Sequence, residues 1–284
     1  MKYRTAEKKF LSIFCSVLVL SVLLAFCGHD RVFAVDSIAT IKIGGTGGAM
    51  GAMKVLAGAF QKKHPGLNII FIPNLGTGGG IMAVTGGAID IGLAGRPLNP
   101  SELSQGLKEV EYARSPFVFV TAHTVTGMNL TLDQIVRIYR GEMKKWPDGT
   151  PIRLILRPES DADTKMLKGI SPELRQAVEK AQSTEGMTKA LTDGDSADAI
   201  EKVKGAFGAS TLTQIISEKR SLTALPLNGV SPGVQTLADG RYPYFRTFYM
   251  ITGPKSQSAV QSFIEFVKSQ EGTAILVKTG NSPR

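Results

Sequence analysis

Beyond residue 34 this 284-residue chain contains no cysteine; its two, Cys15 and Cys27, lie near the start. The remainder has no disulfide, thiol nucleophile or cysteine ligand, and it is long enough to hold together by burial alone. Histidine is nearly as scarce. Only His64 and His123 fall beyond residue 34, and neither has the His-x-x-His or HExxH spacing of a zinc hydrolase. His64 sits in a helix-ending His64-Pro65-Gly66 turn and reads as a surface residue. There is no Gly-x-Ser-x-Gly nucleophile elbow, and no glycine segment ends in the Lys-Ser/Thr of a nucleotide-hydrolysing phosphate loop. Aromatic residues make up only 7% of the chain, and the basic residues are scattered. A nucleic-acid surface would need a basic cluster interleaved with stacking groups, so none is expected. These absences point away from an enzyme and imply no cofactor and no metal.

What is present begins with an export signal. Lys2, Arg4, Lys8 and Lys9 precede an apolar run from Phe10 to Phe26, and Val32-Phe33-Ala34 offers a cleavage site. Residues 1–34 therefore read as a cleavable signal peptide, with an uncleaved anchor as the alternative. Leu24-Ala25-Phe26-Cys27 only loosely resembles a lipobox, because Phe26 is bulky directly before the cysteine. A free periplasmic protein is expected over a lipid-anchored one. No later segment is apolar enough to span a bilayer. The chain has 33 Lys and Arg against 24 Asp and Glu; removing the five basic and two acidic residues of the signal leaves 28 against 22. That excess weakly favours an anionic ligand.

The rest alternates short β-like runs with amphipathic stretches, the pattern of an α/β protein. The spacing predicts strands at 39–44, 69–72, 89–94, 117–121, 152–156, 206–209 and 247–252. Helices are predicted at 49–63, after residue 80, at 101–110, 129–139, 172–181, 198–203, 211–218 and 256–270. Thr131 with Gln134 has the form of a capping box. Tyr139 and Trp146 read as packing residues near a helix end.

Two glycine-rich turns, Gly44–Gly48 and Gly76–Gly80, stand at strand-to-helix junctions. Such turns bring a ligand close to the backbone, and the following helix offers it unpaired N–H groups and the positive end of its dipole. Thr46 and Thr77 add hydroxyls. Arg96 and Arg157 each follow a predicted strand, which would let their guanidinium forks reach one crevice. The combination suits an oxyanion such as phosphate. Ordinary sheet-to-helix geometry and surface ion pairing would explain the same residues one at a time. Gly78, Gly80 and Ala83 match the letters of a dinucleotide fingerprint, but no acidic residue follows at the required distance. Asp161 and Asp163 form an acidic pair that would serve either as a cation ligand or as a loop or helix cap.

Several segments together resemble the exported substrate-binding proteins of phosphate ABC transporters, the PstS-like branch of the type II periplasmic binding proteins. They are Gly44–Met50, Asn74–Gly80, Asp90–Leu98, Leu130–Trp146, Gly205–Gln214, Tyr242–Arg246, Glu271-Gly272 and Thr279–Arg284. The resemblance implies a two-lobed α/β fold with a ligand cleft between lobes joined by two crossover strands. On that model one lobe comprises residues 35–113 and 226–284, and the other residues 114–225. It implies a monomer that captures phosphate or a related oxyanion and delivers it to an inner-membrane ABC permease. A sensing or adhesion role on the same fold is the alternative.

The family's ligand contacts map unevenly onto this chain. Its first-loop hydroxyl falls within Thr46, Gly47 and Gly48, and its second-loop serine corresponds to Thr77, beside Gly78. The Ser-Arg common after the third strand is Gly95-Arg96 here. The second-lobe arginine corresponds to Arg157, but the Ser-Gly-Thr that follows it is Asp161-Ala162-Asp163, then Thr164. Two carboxylates beside an anionic ligand are costly unless they orient Arg96 or Arg157, accept hydrogens from a protonated oxyanion, or point away.

Overall fold

The computed structural model describes residues 39–123 and 128–284, so residues 1–34, read above as a signal peptide, and the loose lipobox resemblance at Cys27 lie outside the described residues. The strands are β1 (Ala39–Gly45), β2 (Leu67–Ile72), β3 (Ile91–Ala94), β4 (Lys108–Thr121), β5 (Arg153–Leu156), β6 (Thr188–Lys189), β7 (Ala206–Thr211), β8 (Thr223–Ala224), β9 (Phe245–Thr252) and β10 (Ser282–Pro283). The helices are α1 (Gly47–Lys63), α2 (Gly76–Thr85), α3 (Pro100–Leu103), α4 (Leu132–Tyr139), α5 (Ala162–Ile170), α6 (Pro172–Ser183), α7 (Asp193–Lys202), α8 (Leu212–Ser217), α9 (Val234–Ala238), α10 (Ser258–Lys268) and α11 (Gln270–Lys278). Among the described residues no helix is long and apolar enough to cross a membrane.

One strand path, β2-β1-β3-β9-β4-β7-β5-β6, runs through the molecule, with β8 and β10 each pairing β4. Strand β4 is the backbone of this arrangement. Its first part, Lys108–Pro116, pairs with β9, and from Phe117 onward it pairs with β7. One continuous strand therefore belongs to two sheets. Side chains alternate across a strand, so each sheet presents two faces and buries both under helices. In the first half Ile41, Ile43, Phe248 and Met250 pack with Met53, Leu56 and Phe60 of α1 and Phe263 and Val267 of α10. On the opposite face Ile81 and Val84 of α2 cover Ala94 and Ile251. In the second half Phe117, Phe119 and Phe207 face Trp146 and Leu174, while Val118, Val120 and Ile155 face Ile200 of α7.

Most predicted elements form, with instructive exceptions. The helix expected over 101–110 stops after Leu103, because Gly106 turns with φ 79° and Lys108–Val110 join β9 edge to edge. The helix expected over 256–270 forms as Ser258–Lys268, and an unexpected helix, Gln270–Lys278, follows it; Ser269 ends the first and caps the second by accepting from Gly272 N–H. Helix α5 carried no sequence signal, since its inward face includes Asp163 and Thr164 along with Leu167. Helix α7 begins at Asp193, five residues before its expected start, on a capping box formed by Thr192 and Asp195. The box expected at Thr131 and Gln134 is present in both directions.

The aromatic contact between Phe60 and Phe263, 5.2 Å between ring centroids, ties α1 to α10 within the fully buried core. Phe263→Ala is expected to lower unfolding free energy by about 3–5 kcal/mol, read as a reduced urea midpoint with an unchanged slope.

Candidate functional site

The carboxyl-terminal ends of β1, β3 and β5 open onto a single cleft of about 450 Å³. One wall is Gly45, Thr46, Gly47, Thr77, Gly78 and Arg96 from the first half; the other is Arg157, Asp161, Lys165, Thr192 and Asp193 from the second. Residues remote in sequence converge here because strand-to-helix junctions of both sheets face the same gap, the usual place for a ligand in α/β folds. Of the ten residues singled out from the sequence, Thr46, Gly47, Thr77, Gly78, Arg96, Arg157 and Asp161 line it. Gly48 sits one residue inside α1 with its N–H directed at the cleft residue Asp193. Asp163 and Thr164 are buried behind the wall.

The first turn of α1 is the main anion-attracting feature. It contains no acidic residue, and the side chain of its N-cap Thr46 makes no capping bond. One N–H of this turn and the cap hydroxyl are answered from across the cleft. Gly48 N–H donates to Asp193 Oδ2 at 2.9 Å, and the Thr46 hydroxyl lies 3.4 Å from the same oxygen. Thr77 accepts from Gly95 N–H at 3.0 Å through Oγ1, which leaves its hydroxyl hydrogen without an acceptor among the described residues.

Arg157 is 6% exposed and firmly oriented. Its Nη1 donates to Ala190 O at 2.9 Å and its Nη2 to Asp161 Oδ2 at 2.7 Å. Nη2 also lies 3.6 Å from Asp193 Oδ1, and the buried Nε has no hydrogen-bond partner among the described residues. The two aspartates of the loop after β5 thus play different parts. Asp161 orients Arg157 and caps α5 by accepting from Asp163 N–H at 2.9 Å. Asp163 turns away from the cleft and pairs with Arg246 of β9. Thr164 donates to Arg157 O at 3.2 Å and so braces the loop from behind.

Arg96 is held differently from Arg157. A two-pronged pair with Glu102, both distances 2.8 Å, and a bond to Pro97 O fix it at the cleft rim. The Glu102 carboxylate raises its pKa and is itself lowered by the same contact. Its charge is therefore largely spoken for. Lys165, exposed on α5, lines the cleft and makes no ion pair among the described residues.

Three contributors were not read from the sequence. Asp193 was missed because α7 was started too late, although Thr192-x-x-Asp195 carries a capping signature. Lys165 was hidden with the rest of α5. Arg246 stood in a recognised segment, yet its role is long-range: a Cβ on residue 95 would collide with its guanidinium. Gly95 is therefore matched to Arg246: the absence of a side chain makes room for a buried cation.

Burial pushes the Asp163 carboxyl up, more than Arg246 pulls it down, and the nearby Asp193 and Asp161 charges push it further, to about 7. A native carboxyl titrating above its unfolded value holds a proton that the unfolded chain releases. Its stabilising contribution is complete below about pH 4 and disappears as pH rises through about 7. Unfolding free energy should therefore fall across that window by up to ~1.4 kcal/mol per pH unit. In Asp163→Asn, chemical denaturation at a series of pH values should show that slope removed.

Comparison with known proteins places the chain in a family. A model for the PBP superfamily domain matches residues 34–271. The phosphate-binding protein PstS of Borreliella burgdorferi is 25% identical over 203 residues, covering 67% of this chain and 71% of that protein. PstS of Bacillus subtilis is 24% identical over 229 residues, covering 76% and 72%. A Clostridium perfringens protein described as a phosphate ABC transporter substrate-binding protein, solved with bound phosphate, superposes with a TM-score of 0.71 at 24% identity. The superposition covers 86% of this chain and 99% of that one. The fold is the two-lobed α/β fold of these proteins, and the chain belongs to the PBP superfamily.

Proposed function

We propose that this PBP-superfamily member is an exported receptor that binds phosphate or a related oxyanion between its lobes and hands it to an ABC permease. The carrying observation is the cleft itself: helix N-terminal N–H groups, two threonine hydroxyls and a buried, oriented arginine converge on one volume from both halves. An oxyanion has enough acceptor oxygens to use donors arriving from several directions. The ligand contacts in this reading are Thr46, Gly47, Gly48, Thr77, Gly78 and Arg157, with the exposed Lys165 supplying further positive charge. Arg96 contributes at the rim. Asp161 acts through Arg157, and Asp163 and Thr164 act as supports. The donor set supports binding rather than bond-breaking chemistry, and the relatives' names favour transport over sensing or adhesion.

In the same reading the protein works as a periplasmic monomer. The crossover out of the first lobe is β4 near residues 113–117, where its partner changes from β9 to β7. Leu225, Leu227 and Tyr242 pack in the second half's core, which supports a return crossing near Tyr244 rather than at 225/226. Closure about these two crossings would exclude water and strengthen every charge-assisted bond to the ligand.

Isothermal titration against phosphate, sulfate, phosphonates, molybdate and small organic anions should give binding heat with at least one oxyanion. Silence with all of them would overturn the reading. Arg157→Ala and Thr77→Ala should each weaken that binding roughly tenfold or more, and unchanged affinity in both would move the site elsewhere.

A further inference from the structure

Asp193 stands where the ligand of the proposed cleft would stand. Its carboxylate comes from α7 in the second half and caps α1 in the first, accepting from Gly48 N–H at 2.9 Å with the Thr46 hydroxyl 3.4 Å away. Its other oxygen lies 3.6 Å from Arg157 Nη2. A helix dipole, a hydroxyl and a guanidinium are the donors an oxyanion would use, and here a built-in anion uses them.

Three further features show that this carboxylate is fitted to the seat. Helix α7 does not need it, because Thr192 and Asp195 already cap that helix reciprocally. Helix α1 does need an acceptor, since it has neither an acidic first turn nor a side-chain cap of its own. The approach is also close: a Cβ on Gly47 would lie 2.8 Å from Asp193 Oδ2 and 3.0 Å from its Cβ, so only glycine leaves room for it. The Asp193 side chain keeps 13% exposure, which leaves solvent a way in.

We propose that Asp193 is an internal occupant of the anion seat, which latches the ligand-free cleft and which an incoming oxyanion must displace. The proposal rests on the reading of the cleft as an oxyanion site. Two anions within a few ångströms repel strongly in a partly buried space, so carboxylate and ligand take turns. Binding is then an exchange, and the measured affinity is the ligand's own reduced by the fraction of molecules in which the latch is open. Selectivity follows from the same competition. An anion wins the seat only if it brings more charge or more acceptor oxygens than one carboxylate, which disfavours chloride and simple carboxylates.

The test uses the chain from residue 35 as wild type, Asp193→Asn and Asp193→Ala, with two readouts: calorimetric titration with inorganic phosphate, and small-angle scattering without ligand. Both variants should bind phosphate about tenfold or more tightly than wild type, and both should show a larger ligand-free radius of gyration. Equal affinity and equal radius in all three proteins would sink the latch while leaving the oxyanion site standing. Weaker phosphate binding by both variants would also overturn it, making Asp193 an acceptor for a ligand hydrogen instead. Expansion of the variants with no phosphate binding by any of the three would uphold the latch and remove the oxyanion reading beneath it.

Discussion

The first turn of α1 presents N–H groups that no carbonyl within the helix can accept, and the cleft is organised around whatever satisfies them. Thr46 stands at the cap position without capping, and no acidic residue follows it in the turn. A helix of 17 residues brings the positive end of its dipole to the same spot. Left alone, such an end is a standing demand for negative charge. Asp193 meets it from the opposite wall, and an oxyanion would meet it in the same place.

The surrounding charges keep that demand local. Arg157 is buried, yet its geometry is set by Asp161 and Ala190 O rather than by the ligand, so it waits preorganised. Preorganised donors cost little ordering when the anion arrives. Deeper in the wall, Arg246 donates to Asp163 across the two halves, beside a glycine that gives the guanidinium its space. Removing one partner of such a pair strands a buried charge, which is usually far more damaging than never having had the pair. Asp161, Asp163, Gly95 and Arg246 therefore work as one coupled set: Asp161 holds Arg157, Asp163 holds Arg246, and Gly95 leaves Arg246 its space.

How much of this was legible in the sequence follows the range of the interactions. The strands and helices of the first half announce themselves by local periodicity and glycine punctuation, and Thr131 with Gln134 was readable as a cap because the box closes within four residues. Thr46 and Arg157 could be singled out because each stands immediately after a strand, and Thr77 because it lies in a glycine-rich strand-to-helix junction. What escaped depended on distant partners or polar burial. Helix α5 faces inward with Asp163 and Thr164, which erases its apolar period. Lys108–Val110 look helical until β9 offers them a partner. Asp193 lies 145 residues from the amide it binds, and no local pattern reports such a contact.

The central claim, that the α1 N-terminus is an anion seat shared by Asp193 and the ligand, is tested most directly by a crystal structure of the protein with phosphate bound. The account predicts phosphate oxygens on Gly48 N–H and the Thr46 hydroxyl, Arg157 in ion-pair contact with the ligand, and the Asp193 carboxylate moved off Gly48. Phosphate bound elsewhere with the Asp193–Gly48 bond intact would contradict it.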